Sequence, residues 1–493
     1  MFLVSSIRKL CLLSAFVASI STSAQLPRSE SFHNQYKLVK VVVVGRHHVR
    51  SAAISKGERR ITPHQWHKWN VADGNLTERG AALEKQMGIF FSQWIAGEHL
   101  LDLSNPSSAD SVYLYANSMP RTIETGQNFA EGFMPSTHLA VNYNSKSMGS
   151  MDSVFFDMDF KISDTFKSKA KAELEYGCGE GGFAEAIRHL QDDAATLTEV
   201  LDISKAPSCT QGDTCSFHFE NPSLYLHYKW MPRISGGNIY LAQLAASNLI
   251  LQYYDMPESE GSIFGHAITD EQLCAIGRVK DMWCHLSMGF PSVGRDICHN
   301  LLREIRKDMA DSNKKFIYLI GHDSNMAGLT GALEVKEYNL EGTPECKTPL
   351  GGKIVFEIWE DSSGEAYVGL NYVYQNIRQI MKTESLNIEN PPMVTMLEIE
   401  GLRNNSEGLY KLEDFTNHLD KAISEFDALD NYLPSDVNLD RKIDMLDAVD
   451  ILIKTTGMPY KFFVPSQADI DGNGTINADD AVRLMEIIAN TSK

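Results

Sequence analysis

Three short segments of the chain carry residue types suited to handling a phosphate group. The first is Arg46-His47-His48-Val49-Arg50, the second contains Arg121 in YANSMPRT, and the third is Gly321-His322-Asp323-Ser324-Asn325. Arginine can hold phosphate oxygens through paired hydrogen bonds, and a neutral imidazole is a competent nucleophile. Together these residue types indicate phosphoryl transfer through a covalent intermediate.

Each charged group in these segments has a place in such a reaction. Arg46, Arg50 and Arg121 can bind the phosphate oxygens and neutralise the charge of the transition state, and a protonated His322 would add a fourth donor. Asp323 can act as the general acid that protonates the leaving oxygen. That role requires a protonated carboxyl group, so an acidic pH optimum is expected. The arrangement requires no metal ion or other cofactor for catalysis.

The three segments each follow a short apolar run that predicts a buried β-strand. These runs are Lys37–Val44, Val112–Tyr115 and Phe316–Ile320. Ile354–Trp359 has a similar character, and Tyr367–Tyr374 alternates between apolar and polar residues. Open α/β sheets bind ligands at the carboxyl ends of their strands. The arginine, histidine and aspartate side chains of the three segments are therefore expected to lie together at one edge of a sheet.

Helical stretches lie between the predicted strands, and Thr77–Gly97 shows the regular apolar spacing of a helix. The alternation predicts an α/β fold, a three-layer sandwich with a mixed central sheet. Residues from roughly 150 to 265 look mostly helical and are expected to form an inserted cap.

The segments resemble those of the histidine acid phosphatases, the branch of the histidine phosphatase superfamily that includes phytases. The matching stretches include RHHVRS, LTERGAALEKQMGIFFSQWIAG, YANSMPRTIETGQNFAEGF, PSCTQGDTC, IGHDSNMAGLTGAL and TPLGGKIVFEIWEDS, and they cover nearly all of residues 37–400. The resemblance implies that His47 accepts the phosphoryl group, that Arg46, Arg50, Arg121 and His322 bind it, and that Asp323 donates the proton. It also implies an α/β domain with a helical cap over the cleft.

The resemblance further implies a phosphomonoester substrate, either a sugar phosphate of the glucose 1-phosphate type or, as the alternative, inositol hexakisphosphate. A mutase of the same superfamily and a non-catalytic binding protein are further hypotheses. The leader sequence and the His-Asp pair favour hydrolysis over the mutase. The complete set of six residues argues against loss of activity.

Position 48 departs from the family pattern, which usually has glycine or asparagine after the nucleophile. His48 could alter the pH profile or the space for the leaving group, or it could simply point into the core. The pair His47-His48 could also be half of a metal site, but no carboxylate or cysteine lies nearby at a suitable spacing.

The first 24 residues have the features of a signal peptide, with Arg8 and Lys9 before an apolar run and small residues up to Ala24. An exported protein, periplasmic or extracellular, is therefore expected, with no membrane association. The formal charge of −19 argues against a nucleic-acid partner. Cys209 and Cys215, six residues apart in a loop, are the expected disulfide pair.

The last 60 or so residues contain two copies of a calcium-loop pattern, with oxygen-bearing side chains at loop positions 1, 3, 5 and 12 and a backbone carbonyl at position 7. The predicted ligands are Asp436, Asn438, Asp440, Lys442 and Asp447 in the first loop and Asp469, Asp471, Asn473, Thr475 and Asp480 in the second, with Lys442 and Thr475 contributing their carbonyl groups. This duplication resembles a type I dockerin module, which implies two structural calcium ions and a possible cohesin partner. The predicted organisation is a signal peptide at 1–24, a phosphatase domain at 25–430 and the calcium-loop domain at 431–493.

Overall fold

The computed structural model describes residues 26–157, 160–256, 259, 261–426, 435–438, 442–458, 463 and 465–491. The predicted signal peptide lies outside these residues. Within the described part of the chain, none of the helices combines the length and the apolar character that a membrane crossing needs.

Strands and helices alternate along the chain, as the hydrophobic pattern predicts. The strands are β1 (Tyr36–Arg46), β2 (Val112–Ala116), β3 (Val141–Asn142), β4 (Ser223–His227), β5 (Trp230–Ser235), β6 (Phe316–Gly321), β7 (Lys353–Asp361), β8 (Ala366–Tyr374), β9 (Met393–Met396) and β10 (Tyr410–Lys411). The helices that precede β6 are α1 (Glu30–His33), α2 (Lys56–Arg60), α3 (Glu78–Gly97), α4 (Pro120–Phe133), α5 (Asp164–Gly177), α6 (Gly182–Val200), α7 (Pro207–Thr210), α8 (Ile239–Asp255), α9 (Asp270–Met288) and α10 (Pro291–Ala310). The later helices are α11 (Asp323–Ala332), α12 (Ile377–Lys382), α13 (Leu412–Phe426), α14 (Met445–Thr456), α15 (Pro465–Ala468) and α16 (Ala478–Thr491).

The central sheet has eight strands and is mixed, as predicted. Its order is β10-β8-β7-β1-β6-β2-β3, and β9 pairs with β8. Strands β1, β6, β2 and β3 run parallel to one another, whereas β7 and β8 are antiparallel to their neighbours. The parallel half brings the carboxyl ends of β1, β6 and β2 side by side.

Both faces of this sheet are covered, which makes the architecture a sandwich. Val41 and Val43 of β1 belong to one hydrophobic cluster, with α3 and α4. Val42 and Val44 point to the opposite face and belong to a second cluster, with α9, α10, α11 and α13. Burial on both faces explains why β1 reads as an unbroken apolar run rather than an alternating one.

Helices α3 and α4 pack unusually closely on their side of the sheet. Thr77 caps α3 by accepting a hydrogen bond from the Gly80 amide. Where the helices cross, a Cβ atom on Gly88 would lie 2.2 Å from the Phe129 carbonyl oxygen, and one on Gly132 would lie 2.2 Å from the Lys85 carbonyl oxygen. Only glycine permits this approach, which brings the last turn of α4 against the middle of α3.

The segment from 150 to 265 is mostly helical, but it also contains the β4–β5 hairpin, which the sequence did not predict. Its helices α6 and α8 contribute to the same hydrophobic cluster as one face of the sheet. The expected pair Cys209 and Cys215 forms a disulfide in this segment. The other cysteines of the described chain are free thiols.

The C-terminal residues form a small hydrophobic cluster of their own. Helices α14 and α16 pack against each other, and the buried members are Val437, Ala448, Ile451, Phe463, Ala468, Ala481 and Leu484. Each of these two helices follows one of the predicted calcium loops.

Candidate active site

The three chemistry-bearing segments follow three adjacent parallel strands. Arg46, the last residue of β1, is in register with Gly321 of β6, and Ala116 of β2 is in register with Ile320. The His47 amide extends the β1–β6 pairing by donating to the Gly321 carbonyl at 3.0 Å. The sheet therefore brings the side chains of all three segments to one edge.

His47 is buried and held in one tautomer. Its Nδ1 lies 2.8 Å from the carbonyl oxygen of His48, so Nδ1 carries the proton and donates it. The lone pair of the ring is then on Nε2. Burial lowers the pKa of His47 well below its usual value, and the positive charges of Arg121, Arg46 and Arg50 lower it further. His47 is therefore a neutral imidazole with an available Nε2 lone pair.

Three arginines surround this imidazole. Arg46 is fixed by Glu345, whose Oε1 accepts from Nη1 at 2.7 Å, and by the Thr348 carbonyl. Arg50 donates to the Ser51 carbonyl at 2.8 Å. Burial lowers the pKa of Arg121 to about 10, with a further contribution from Arg50, so the group remains charged at neutral and acidic pH.

His322 presents a proton to the same space without being charged. Its Nδ1 accepts a hydrogen bond from Arg121 Nη2 at 3.3 Å, so the proton of the neutral ring lies on Nε2. That Nε2 is buried and finds no protein partner in the described chain. Burial and Arg121 lower the pKa of His322 well below its usual value. His322 is therefore neutral in the free enzyme, and its Nε2–H supplies a donor without the positive charge of a protonated ring.

Asp323 opens helix α11, and cations hold it in the ionised form. Its Oδ2 lies 3.2 Å from Lys280 Nζ and 3.5 Å from Arg46 Nη2. Burial acts to raise the pKa of Asp323, but the positive charges of Lys280 and Arg46 lower it well below its usual range. The side chain is still 33% exposed, so solvent reaches the carboxylate.

Lys280 and Glu345 form the support of the site and were missed by sequence reasoning. Lys280 is almost fully buried, 2.9 Å from Glu345 Oε1 and 3.0 Å from Thr348 Oγ1. One signal could have found it, because Ile276, Lys280 and Cys284 share one face of α9 at a spacing of four. A lysine inside an apolar helix face needs a buried partner.

His48 points into the core. Its Nδ1 accepts from the Val49 amide at 2.9 Å, and its Nε2 donates to Gln375 Oε1 at 2.9 Å. Gly351 makes room for the ring, since a Cβ atom at that position would lie 2.3 Å from His48 Cδ2. Burial lowers the pKa of His48 to about 3, so it stays neutral over the working pH range.

A cavity of about 630 Å³ lies in the loop that follows Arg50. Its lining includes Trp66, Trp69, Arg59, Lys68 and Asp73. The buried Trp69 Nε1 donor has no partner among the described residues. The two indole side chains and the unused donor suit the apolar faces and the hydroxyl groups of a sugar.

The second predicted calcium loop brings its carboxylates together. One ligand atom each from Asp469, Asp471 and Asp480 lies within 4.8 Å of the others. Asp469 Oδ1 is buried and has no hydrogen-bond partner within the described chain, which fits a role as a cation ligand. Asn473 and Thr475 lie in the same loop, where the Thr475 amide donates to Asn473 Oδ1 at 2.7 Å.

The first loop repeats this construction. Asp447 Oδ1 accepts from the amides of Val437 and Asn438, as Asp480 Oδ1 does from the amides of Ile470 and Asp471. Asp436 and Lys442 are also described, whereas Asp440 lies outside the described residues. The oxygen-rich donor set of the two loops fits calcium.

Comparisons with known proteins agree with this geometry. Residues 23–201 match the family described as Histidine phosphatase superfamily (branch 2). The chain is 31% identical to a glucose-1-phosphatase of Providencia rettgeri over 425 residues, 84% of this chain and 98% of the relative. It is 29% identical to a glucose-1-phosphatase of Salmonella typhimurium over 420 residues, 84% of this chain and 99% of the relative.

The fold also matches a solved phytase structure. The apo form of Hafnia alvei phytase superimposes with a TM-score of 0.71 at 26% sequence identity, covering 79% of this chain and 97% of the phytase. The sequence match to the relatives and the shared fold lead to one assignment. This chain belongs to branch 2 of the histidine phosphatase superfamily and is a histidine acid phosphatase.

Proposed function

We propose that the protein hydrolyses sugar monophosphates of the glucose 1-phosphate type through a phosphohistidine on His47. The observation that carries this proposal is the tautomer of His47: Nδ1 is tied to a backbone carbonyl, which leaves the lone pair on Nε2, and the His322 ring lies 5.4 Å away between centroids. Arg46, Arg50 and Arg121 are close enough to lower the pKa of this imidazole. A nucleophile with one fixed tautomer, surrounded by phosphate-binding donors, is suited to in-line attack on phosphorus.

In the first step, His47 Nε2 attacks phosphorus and the bond from phosphorus to the ester oxygen breaks. The departing alkoxide takes the proton of the Asp323 carboxyl group and leaves as the free alcohol. Arg46, Arg50 and Arg121 stabilise the charge on the phosphoryl oxygens. The His322 Nε2–H adds a neutral donor.

In the second step, Asp323, now ionised, accepts a proton from a water molecule. The resulting hydroxide attacks phosphorus, the bond from phosphorus to Nε2 breaks, and inorganic phosphate leaves. His47 returns with its lone pair on Nε2 and its proton on Nδ1. Atoms and charges balance without a metal ion or a redox partner.

Substrate binding must supply the condition for the first step, because Asp323 is ionised in the free enzyme. A bound phosphate dianion offsets the positive charge of the arginines and Lys280, which raises the pKa of Asp323 toward protonation. Lower pH acts in the same direction. The proposal therefore includes an acidic optimum for substrates with poor leaving groups.

The sugar specificity rests on the cavity lined by the loop after Arg50 and on the relatives. Trp66 and Trp69 line this cavity, and the unused Trp69 donor suits a hydroxyl group. Two similar proteins are named glucose-1-phosphatases. The alternative is phytase activity on the same site, which the Hafnia alvei neighbour favours.

Steady-state rates separate these possibilities. Wild-type enzyme should show a higher kcat/KM for glucose 1-phosphate than for inositol hexakisphosphate, and the reverse order would favour the phytase alternative. His47→Ala should lose at least ~10⁵-fold in kcat. His48→Asn, the matched control at the neighbouring histidine, should retain most activity. An alkaline quench of wild-type enzyme during turnover should trap a phosphohistidine that His47→Ala lacks.

The proposed organisation adds export and a calcium module to the phosphatase. The leader at 1–24 would direct export to the periplasm or the extracellular space, and the phosphatase domain would span 25–430, with its cap at roughly 150–265. The relatives match nearly end to end while 16% of this chain remains unmatched, which supports an additional module at 431–493. Two calcium ions in its loops would stabilise that module.

A cohesin-type protein is the proposed partner of this module. Helices α14 and α16 expose large apolar side chains, including Leu446 at 58% and Val482 at 54%. Such exposed apolar groups on a small, separate unit are typical of a docking surface. Calcium-dependent retention of the full chain on an immobilised cohesin, and loss of retention in Asp469→Ala, would support the proposal. Binding unchanged by chelation would contradict it.

A further inference from the structure

Two histidines and an aspartate that are distant in sequence lie close together in the fold. None of them belongs to the proposed catalytic set. His64 Nε2 lies 2.8 Å from Asp202 Oδ2, and His266 Nε2 lies 3.0 Å from the same oxygen. His64 follows α2, Asp202 follows α6, and His266 follows α8. One ligand atom from each of the three converges within 4.8 Å.

The chemistry of this set is that of a transition-metal site. Two imidazole nitrogens and one carboxylate oxygen are a common ligand set for zinc, with water in the fourth position. In tetrahedral geometry with bonds of about 2.0–2.1 Å, two ligand atoms lie about 3.3 Å apart. The observed separations of 2.8 and 3.0 Å need to open by only a few tenths of an ångström, which small side-chain rotations provide.

The surrounding residues fix two of the three ligands. The ring of Phe264 stacks on His64, with centroids 4.9 Å apart and planes within 9° of parallel. Lys205 Nζ binds the other carboxylate oxygen of Asp202 at 2.8 Å. Lys205 and His64 lower the pKa of Asp202, so the carboxylate is ionised. A second partner on the ligating carboxylate is a usual feature of metal sites because it orients the ligand.

Two residues of this cluster and its surroundings have an uncommon backbone conformation. Asp202 and Phe264 have φ values of 50° and 52°, in the left-handed region that non-glycine residues rarely occupy. The side chains of His64, Asp202 and His266 are 29%, 16% and 35% exposed, so an ion can reach them from solvent. Lys205 is the nearby cation, and at 71% exposure its repulsion of a metal ion is screened by water.

We infer that His64, Asp202 and His266 bind one divalent transition-metal ion, with Zn²⁺ as the best fit. The ion would join three segments of chain, one of which, around His64, also lines the cavity formed by the loop after Arg50. Imidazole ligands disfavour Ca²⁺, so this site is chemically distinct from the C-terminal loops. The role of the ion would be structural, to hold the wall of that cavity in place.

The test uses the full chain, freed of metal and then kept in excess Ca²⁺ to occupy the C-terminal loops. Zn²⁺ is titrated by calorimetry, and Co²⁺ by its visible absorption, which is intense in tetrahedral coordination. We expect one Zn²⁺ per chain with micromolar or tighter affinity, and a rise in Tm on binding. His64→Ala and His266→Ala should each weaken binding at least ~100-fold and abolish the rise in Tm.

His189→Ala is the matched control. His189 is an exposed histidine on α6 that pairs with Glu185 at 3.2 Å, and its loss should change neither affinity nor Tm shift. Asp202→Asn preserves the shape of the ligand if an alanine variant unfolds, and it should also weaken binding. Circular dichroism of the metal-free variants verifies the fold. Equal Zn²⁺ affinity in wild type and Asp202→Asn, or binding only at millimolar Zn²⁺, would overturn the inference.

Discussion

Replacing Lys280 with methionine should extend the activity of this enzyme toward alcohol-leaving substrates to higher pH. Lys280 Nζ lies 3.2 Å from Asp323 Oδ2, and its charge is the largest of those that lower the pKa of the carboxyl group. A general acid works only in its protonated form. Removing the cation raises the pKa of Asp323, so the protonated fraction persists to higher pH and the alkaline limb of the kcat profile moves upward.

The distance sets the size of the effect. Two unit charges 3.2 Å apart attract each other by about 5 kcal/mol at an effective dielectric constant of 20 and by about 1 kcal/mol in water. Asp323 is one-third exposed, so the lower part of this range applies. About 1.4 to 2.8 kcal/mol corresponds to a tenfold to hundredfold larger protonated fraction at a given pH above the pKa.

The assay compares kcat over pH for two substrates. Glucose 1-phosphate releases an alcohol and needs the proton, whereas p-nitrophenyl phosphate releases a phenolate that leaves without one. In Lys280→Met the alkaline limb should move for glucose 1-phosphate alone. Lys280→Arg keeps the positive charge and controls for changes in packing, so its profile should stay near that of wild type.

Identical displacement of both profiles in Lys280→Met would refute the reasoning, because the effect would then not act through proton donation. A limb that moves to lower pH would refute the electrostatic sign. Loss of Lys280 also leaves Glu345 with Arg46 as its remaining close cation, 2.7 Å away, so some loss of stability is expected. Rates should therefore be measured well below the unfolding temperature of the variant.

Three further predictions address the acid, the packing and the calcium loops. Asp323→Asn should reduce kcat for glucose 1-phosphate by ~10²–10⁴-fold and kcat for p-nitrophenyl phosphate much less. An equal loss of kcat for the two substrates, measured in parallel, would show that Asp323 is not the general acid. Gly351→Ala should lower the free energy of unfolding by about 1–3 kcal/mol in urea titrations, because the residue has φ +69° and its new Cβ would meet His48. Adding His48→Ala to this variant should recover part of the lost stability. A Gly351→Ala variant as stable as wild type would contradict the contact. A calcium chelator should destabilise the segment after about residue 434, and proteolysis should become faster there. Phosphate release from glucose 1-phosphate should continue. Arrest of phosphate release would contradict the metal-free mechanism.

The sequence predicted the parts of the fold that depend on local pattern. The run Lys37–Val44 indicated a strand buried on both faces, and β1 is central in the sheet with both faces covered. Placement of the arginines and histidines after parallel strands followed from the same logic. The β4–β5 hairpin was not predicted, because its short strands lie among helices and carry no long alternating run.

The supporting residues of the site could not be predicted in the same way. Lys280 and Glu345 lie 65 positions apart, and neither belongs to a strand-end motif. Their meeting depends on how α9 packs over the sheet, which is a tertiary property. The tautomers of His47 and His322 likewise depend on hydrogen-bond partners that only the folded chain defines.

The hydrogen bond from His47 Nδ1 to the carbonyl oxygen of residue 48 affects which amino acids can replace His48 during evolution. Every amino acid supplies that main-chain oxygen, so the identity of residue 48 is uncoupled from the orientation of the nucleophile. Histidine can occupy this position because Gln375 and Gly351 accommodate its ring. The residue type at position 48 is therefore limited by the space that Gln375 and Gly351 leave for its side chain, and not by the need to orient His47.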